Sequence, residues 1–384
     1  MTVFLAKNLY TPLQSIEAAA IAVEDGRIVS VGPRTSTEVA SNKDPRDFGD
    51  GILAPGFIDL HFHGAAGCDV MRGSPGEREK MEIFLARHGV TSYFPTTVCA
   101  PLDLTLTALE RLADSIEGAK RDHGRARAIG IHLEGPFLSC AKRGVHQAEY
   151  LIAPSIGVFE KLWQAAGGHV RMMTIAPELE NAEEVIREAT RRGVCVSLGH
   201  SNADVAATRR GIEAGARHAT HTFNAMRPLD HRNPGILGEV LTNDAVTCDV
   251  IADGIHVDRS MVKLLARAKG PHKLVLITDA LSATGMPDGK YQLGTLEIEV
   301  KNGVCLHNGT FAGSILTTDR AVRNLMQFAG WDLRSAVQAA TLNPARSAGV
   351  PKKGTIETGA DADFVVLTHE GEVRATVVGG SLVQ

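Results

Sequence analysis

Between about residues 54 and 349 the chain repeats one pattern: a short apolar run, a break, then a stretch with helix-like character. Eight runs read as strands: "FIDLHFH" (57–63), "TSYFPTT" (91–97), "RAIGIHLE" (127–134), "RMMTIAP" (171–177), "VCVSLGH" (194–200), "HATHTF" (218–223), "VTCDVIAD" (246–253) and "KLVLITDA" (273–280). Between them lie "GEREKMEIFLARHG", "LDLTLTALERLADSIEGA", "NAEEVIREATRRG", "NADVAATRRGIEAG" and "DRSMVKLLARAKG". Several of these begin at Asn or Asp and end at Gly, as capped helices do. Eight strands alternating with helices predict an α/β fold, a (β/α)8 barrel of the TIM type. A doubly wound sheet is the competing architecture, but no G-x-G-x-x-G follows the first strand.

The ends are different. "TVFLAKNLYT" and "AAAIAVEDGRIVSVG" read as strands, with Asp25-Gly26 as a hairpin turn. The last 30 or so residues again alternate short strands with Gly-rich turns. The two ends are expected to pair into one small β domain, residues 1–53 plus 350–384, beside a catalytic barrel at 54–349. A β-rich insertion is expected at about 286–311, after the eighth strand. Two helices, near 317–329 and 332–342, follow it.

Composition excludes some classes. The net charge is −4 over 384 residues, so no basic stripe is available for nucleic-acid phosphates. No apolar run is long enough for a membrane span, and the N-terminus lacks a signal-peptide pattern. The six cysteines are scattered, with no Cys-x-x-Cys pair. They read as reduced thiols of a cytoplasmic protein.

The chemistry gathers at the ends of the predicted strands, where barrels of this type carry their reactive groups. In "GFIDLHFHG", His61 and His63 point to the same side of a strand. With 15 histidines, chance alone yields roughly 0.6 His-x-His pairs, so this motif is weak by itself. But Glu134, His200, His221, His256 and Asp279 also stand at or just beyond strand ends. Each would be costly to bury without a partner. Glu134, His200 and His221 form a His-His-carboxylate set suited to Zn²⁺ or Fe²⁺ with an open position. His61 and His63 could hold a second ion, with Glu134 bridging. Asp279 is then the natural general base for a metal-activated water, later protonating the leaving nitrogen. His132 shares a face with Glu134 by parity and is expected to support or pack. His218 is set aside because it lies three residues from His221.

"PGFIDLHFHG", "HLEGPF", "GHS", "THTFNAM", "DGIHV" and "TDA" together resemble the amidohydrolase superfamily. With "KRGVHQ" they are most similar to its N-acetylglucosamine-6-phosphate deacetylase family, over nearly the whole chain. The resemblance implies a metal-bearing barrel with a β-sandwich built from both termini. It implies hydrolysis of the N-acetyl group of a phosphorylated amino sugar to glucosamine 6-phosphate and acetate, in amino-sugar catabolism or cell-wall recycling.

By the same resemblance, Glu134, His200 and His221 are the main ligands of one or two divalent ions per subunit. Asp279 is the acid/base, and His256 polarises the acetyl carbonyl. Substrate contacts fall on Val145, His146, Asn224 and Ala225, on Asp253, Gly254, Ile255 and His256, and on Phe311, Ala312 and Gly313. Arg232 matches a phosphate-binding arginine supplied across a homodimer interface. Relatives that process cyclic amides bridge their metals with a modified lysine. No lysine ends the third or fourth predicted strand, which argues against a cyclic-amide or N-acyl amino acid substrate. A non-catalytic scaffold would have lost ligands that this chain keeps.

Overall fold

The structure is a computed structural model in which residues 1–35, 44–118 and 124–383 are described. Ala119, the last residue of one helix-like stretch, lies outside the described residues, as do 36–43 within the first terminal segment and Gln384.

Eight parallel strands form the barrel: β1 (Phe57–Phe62), β2 (Val90–Thr97), β3 (Ile131–Glu134), β4 (Val170–Ile175), β5 (Cys195–Leu198), β6 (His218–Ala219), β7 (Thr247–Ile251) and β8 (Leu274–Ile277). Each pairs with the next. The ring closes just beyond β8, where Asp279 N–H donates to His61 O at 2.9 Å and His63 N–H to Ala280 O at 2.8 Å. A helix follows each strand: α1 (Pro75–Arg87), α2 (Leu102–Gly118), α3 (Ile156–Ala165), α4 (Ala182–Arg191), α5 (Val205–Ala214), α6 (Gly235–Thr242), α7 (Arg259–Lys273) and α8 (Thr318–Ala329). This is the (β/α)8 arrangement.

The helices form where caps and apolar spacing agree. Ser74 Oγ accepts Glu77 N–H while Glu77 Oε2 accepts Ser74 N–H, a capping box with Pro75 at the first helical position. Asp204 caps α5 through Ala207 N–H at 2.8 Å. On α4, Ala182, Val185, Ile186 and Ala189 are the buried residues, one face at i, i+3, i+4 and i+7. Helices α3 and α6 are additions to the sequence reading. Helix α3 does carry a polar-start, glycine-stop signature, with Ser155 Oγ accepting Val158 N–H at 3.3 Å and Gly167 just past its end, whereas α6 opens at Pro234 without a side-chain cap.

Apart from β2, the strands are shorter than their apolar runs. The run 127–134 is two pieces, Arg127–Ala128 and β3, and β6 has two residues. Beyond β5, β6 and β8 the backbone turns at His200 (φ 45°), His221 (φ 29°) and Asp279 (φ 51°). Non-glycine residues with positive φ are uncommon and cost about 1–3 kcal/mol each. Three of the candidate site residues therefore stand in turns just past their strands.

Strands from both termini form a mixed sheet, in the order Ser381–Leu382, Val373–Val378, Phe364–Leu367, Ile52–Pro55, Thr2–Tyr10, Ser15–Glu24, Arg27–Pro33. Asp25 and Gly26, both at positive φ, make the tight turn between the last two of these. Phe4 meets Phe364 edge-on at 5.0 Å. This sheet is tied to the barrel by Asp363, which accepts two bonds from Arg127 Nη2 at 2.9 and 2.7 Å, pairs with Lys353, and accepts Gly379 N–H at 2.7 Å. A separate four-stranded antiparallel sheet spans Gly289–Phe311. Among the described residues no helix is long and apolar enough to cross a membrane.

Candidate active site

The exits of β1, β3, β5, β6 and β8 converge on one point. His61 lies in β1 and His63 just beyond it, and their Nε2 atoms are 3.1 Å apart. Glu134, the last residue of β3, reaches into the middle. Its Oε1 is 3.1 Å from His200 Nε2, 3.1 Å from His221 Nε2 and 3.3 Å from His61 Nε2. Its Oε2 is 3.3 Å from His63 Nε2. Asp279 Oδ1 is 3.1 Å from His63 Nε2 and 3.6 Å from His61 Nε2. Two donor sets result, Glu134–His200–His221 and His61–His63–Asp279, each with ligand atoms within 4.8 Å of one another.

All these side chains are essentially buried, and burial works against their charged forms. It pushes the His200 imidazole down to about 4 despite Glu134 beside it. For His63 burial also pulls down, but Asp279 and Glu134 reverse it and hold the ring up at about 10. For Glu134 burial pulls upward, yet the charge of His61 and bonds from His146, His200 and His221 keep it well below the usual carboxylate range. Asp279 is lowered in the same way, against burial, by His61 and His63. Among the described residues no lysine or arginine pairs with either carboxylate.

This donor set fits a divalent cation. Four imidazole nitrogens and two carboxylates crowd within about 3–4 Å with no lysine or arginine as counter-charge, an arrangement suited to a cation of the Zn²⁺ or Fe²⁺ kind. The outer nitrogens agree. His63 Nδ1 lies 3.0 Å from Thr96 O, and His200 Nδ1 lies 2.9 Å from Lys142 O. A ring that donates its outer N–H to a carbonyl turns a lone pair inward.

Other residues take other places. His132 is not among the convergent donors: its Nδ1 faces Leu60 O at 3.1 Å and its Nε2 faces Thr174 Oγ1 at 2.8 Å. Burial, then His61, holds it well below the usual histidine range. From Thr174 a hydroxyl chain continues to Thr220 and Ser197 beneath the centre. His146 is drawn in more closely than sequence implied. Its Nδ1 accepts Cys99 N–H at 3.3 Å, so its Nε2 faces Glu134 Oε2, 3.6 Å away, as a donor.

Above the centre lies a cavity of about 240 Å³. Val145, His146, Asn224, Ala225, His256, Phe311 and Gly313 all line it. Asp253, Gly254, Ile255 and Ala312 do not. Asp253 instead accepts His256 Nδ1–H at 2.7 Å and the N–H groups of Ile255 and His256, each at 2.8 Å. Ile255 is exposed and Ala312 is buried. Arg232 is exposed on a separate surface cavity that Arg227 and Gly235 also line. Sequence reasoning missed Val98, Gly144, Ile251, Leu293 and Thr310, which also line the cavity. Leu293 and Thr310 come from the inserted sheet, whose position no local pattern reveals.

The barrel and its cluster of histidines and carboxylates define a class, and the comparisons agree: the amidohydrolase family profile matches residues 52–383, and the chain belongs to that family. Within it the chain is similar to N-acetylglucosamine-6-phosphate deacetylases. That of Bos taurus is 40% identical, over 97% of this chain and 95% of its own length. A solved N-acetyl-D-glucosamine-6-phosphate deacetylase variant from Mycobacterium smegmatis, in complex with N-acetyl-D-glucosamine-6-phosphate, superposes with a TM-score of 0.93. It is 34% identical and covers 100% of this chain and 99% of its own. The N-acetylgalactosamine-6-phosphate deacetylase of Escherichia coli O157:H7 is 35% identical, over 99% of this chain and 98% of its own.

Proposed function

We propose that this chain hydrolyses the acetamide of N-acetyl-D-glucosamine 6-phosphate to D-glucosamine 6-phosphate and acetate. The observation that carries the proposal is the meeting of Glu134, His200 and His221, with Asp279 beside them, at the floor of a cavity in a protein so similar to known deacetylases.

Glu134, His200 and His221 would hold one divalent ion, Zn²⁺ or Fe²⁺. His61 and His63 would hold a second, a reading supported by Glu134 lying near both sets. When bound, the metal supplies Lewis-acid polarisation of the carbonyl and lowers the pKa of a water. Asp279 takes the proton from the attacking water and returns it to the amine nitrogen as the C–N bond breaks. His256 has its Nδ1 held by Asp253 and its Nε2 without a partner. A proton carried on that nitrogen would bond the carbonyl oxygen and steady the negative charge that develops there. Asn224 and His146 orient the sugar.

The exposed position of Arg232 favours a role across a homodimer, where its fork would meet the phosphate of the neighbouring subunit's substrate. The barrel at 54–349 is the catalytic domain, and the terminal segments 1–53 and 350–384 form the supporting one. Free thiols throughout fit a cytoplasmic protein.

The test is acetate release from N-acetylglucosamine 6-phosphate, its 4-epimer and the unphosphorylated sugar, before and after chelation, with metal analysis of the pure protein. Preferred turnover of the glucosamine phosphate, abolished by chelator, is expected. Equal turnover of the unphosphorylated sugar would refute the assignment of a phosphate site.

A further inference from the structure

Four imidazoles reach the centre, and they are held in two different ways. His63 and His200 are held by their rings, through Thr96 O and Lys142 O. Among the described residues, His61 and His221 have no partner for Nδ1. Their main chains are held instead. Asp59 Oδ1 accepts His61 N–H at 3.2 Å and Thr278 N–H at 3.3 Å. Asp249 Oδ1 accepts His221 N–H, and its Oδ2 lies 2.9 Å from His218 Nε2. Asp59, Asp249 and His218 are all 0% exposed, and none lines the cavity.

We propose that Asp249, backed by His218, is a positioning residue for His221, aiming its ring by gripping its backbone. The inference rests on reading the centre as a metal site. Three observations support it. First, β6 ends at Ala219, so no ladder bond reaches His221, and a buried N–H must find another acceptor. Asp249, on the neighbouring strand β7, supplies it, and its own carbonyl accepts Thr222 N–H at 3.0 Å. Side chain and main chain of one residue thus hold both 221 and 222. Second, the held backbone is unfavourable by itself. His221 sits at φ 29°, with Phe223 at 84° and Ala225 at 49°, and such conformers persist only where surroundings impose them. Third, a fully buried carboxylate is costly without a partner. His218 supplies one from the strand that leads into His221. That explains a histidine three residues away that cannot share the face of His221.

A merely structural aspartate and a positioning one predict different results. The probe is Zn²⁺ alone, titrated in competition with a chelator against the full chain, alongside thermal unfolding in chelator. Asp249→Ala is expected to weaken zinc about 10- to 100-fold and to lower kcat more than it changes KM. Asp249→Asn keeps an oxygen for His221 N–H and is expected to recover most of the affinity. Zinc affinity of Asp249→Ala within twofold of wild type overturns the proposal. If Asp249→Ala does not fold, His218→Leu decides. A roughly tenfold weaker affinity supports the grip, since outer partners of metal ligands carry such effects, and an unchanged affinity overturns it. A wild type that binds no zinc or iron at all sinks the metal reading instead, a result distinguishable from either.

Discussion

Glu134 Oε1 and His221 Nε2 stand 3.1 Å apart although 87 residues separate them in the chain. The same oxygen is equally close to His200 Nε2. One carboxylate therefore gathers histidines from beyond two other strands, and on the proposed reading its charge would let a cation be shared among them. Glu134→Gln keeps the shape and removes the charge. It should cost metal affinity at least ~100-fold, more than the loss of an outer partner. Metal content after dialysis against chelator measures this. Full retention of metal in Glu134→Gln would contradict the proposed ligand set.

Asp279→Asn tests the proton transfer. The amide cannot take a proton from water, so kcat should fall about 10²- to 10⁴-fold, with substrate affinity nearly unchanged. Single-turnover acetate release and direct titration with the sugar phosphate separate the two. A variant with near-normal kcat removes Asp279 from the mechanism.

Removal of metal should abolish turnover without unfolding the barrel, because the apolar core is continuous around the centre. Activity should return with added Zn²⁺ or Fe²⁺. The ion count per chain at full activity discriminates a one-metal from a two-metal site. Full activity at one ion, unaltered by His63→Ala, would leave the His61–His63 pair outside the chemistry.

Arg232→Ala should raise KM for the phosphorylated sugar more than tenfold, as loss of a charge-assisted fork does, at about 1.5–3 kcal/mol. Turnover of the unphosphorylated sugar should stay the same. Mixed dimers of Arg232→Ala and Asp279→Asn chains should regain part of the activity if the arginine acts across the interface. No regain in mixed dimers would place the arginine in its own subunit's site or outside the site.

Acid stability should depend on Asp363. Burial pulls its carboxyl upward, but the charges of Lys353 and Arg127 outweigh it and leave it below the ordinary value. A lowered carboxylate contributes stability above its unfolded pKa of about 3.9, and loses it as pH falls through the folded value. Asp363→Asn should therefore destabilise the protein by about 3 kcal/mol near neutrality, where it strands two partly buried cations. The penalty should begin to shrink below about pH 4, where the unfolded carboxyl takes up a proton that the folded one still resists. Urea unfolding at pH 7 and pH 3.5 checks the sign. An equal penalty at both would mean that the charge is unimportant.

The barrel, and the residues at its mouth, were legible in the sequence for one reason. Glu134, His200, His221 and Asp279 interrupt or end apolar runs where such groups are costly, and the period of those runs identifies strands. Parity placed His61 and His63 on one side, and their Nε2 atoms do meet. The resemblance of "THTFNAM" and "KRGVHQ" to a family added Val145, His146, Asn224 and Ala225 of the cavity wall, which no periodicity marks.

Tertiary structure decided the rest. Which nitrogen His63 and His200 turn inward depends on carbonyls at Thr96 and Lys142, each tens of residues from the ring it meets. The grip of Asp249 on His221 depends on the register that sets His218 beside Thr247. The strands stop short of their apolar runs because the backbone turns at His200, His221 and Asp279, and local propensity disfavours that turn at each. Composition and spacing thus determined which groups gather at the barrel mouth. Only the packed ring of strands fixed their directions, because hydrogen bonds between neighbouring strands link residues that are remote along the chain.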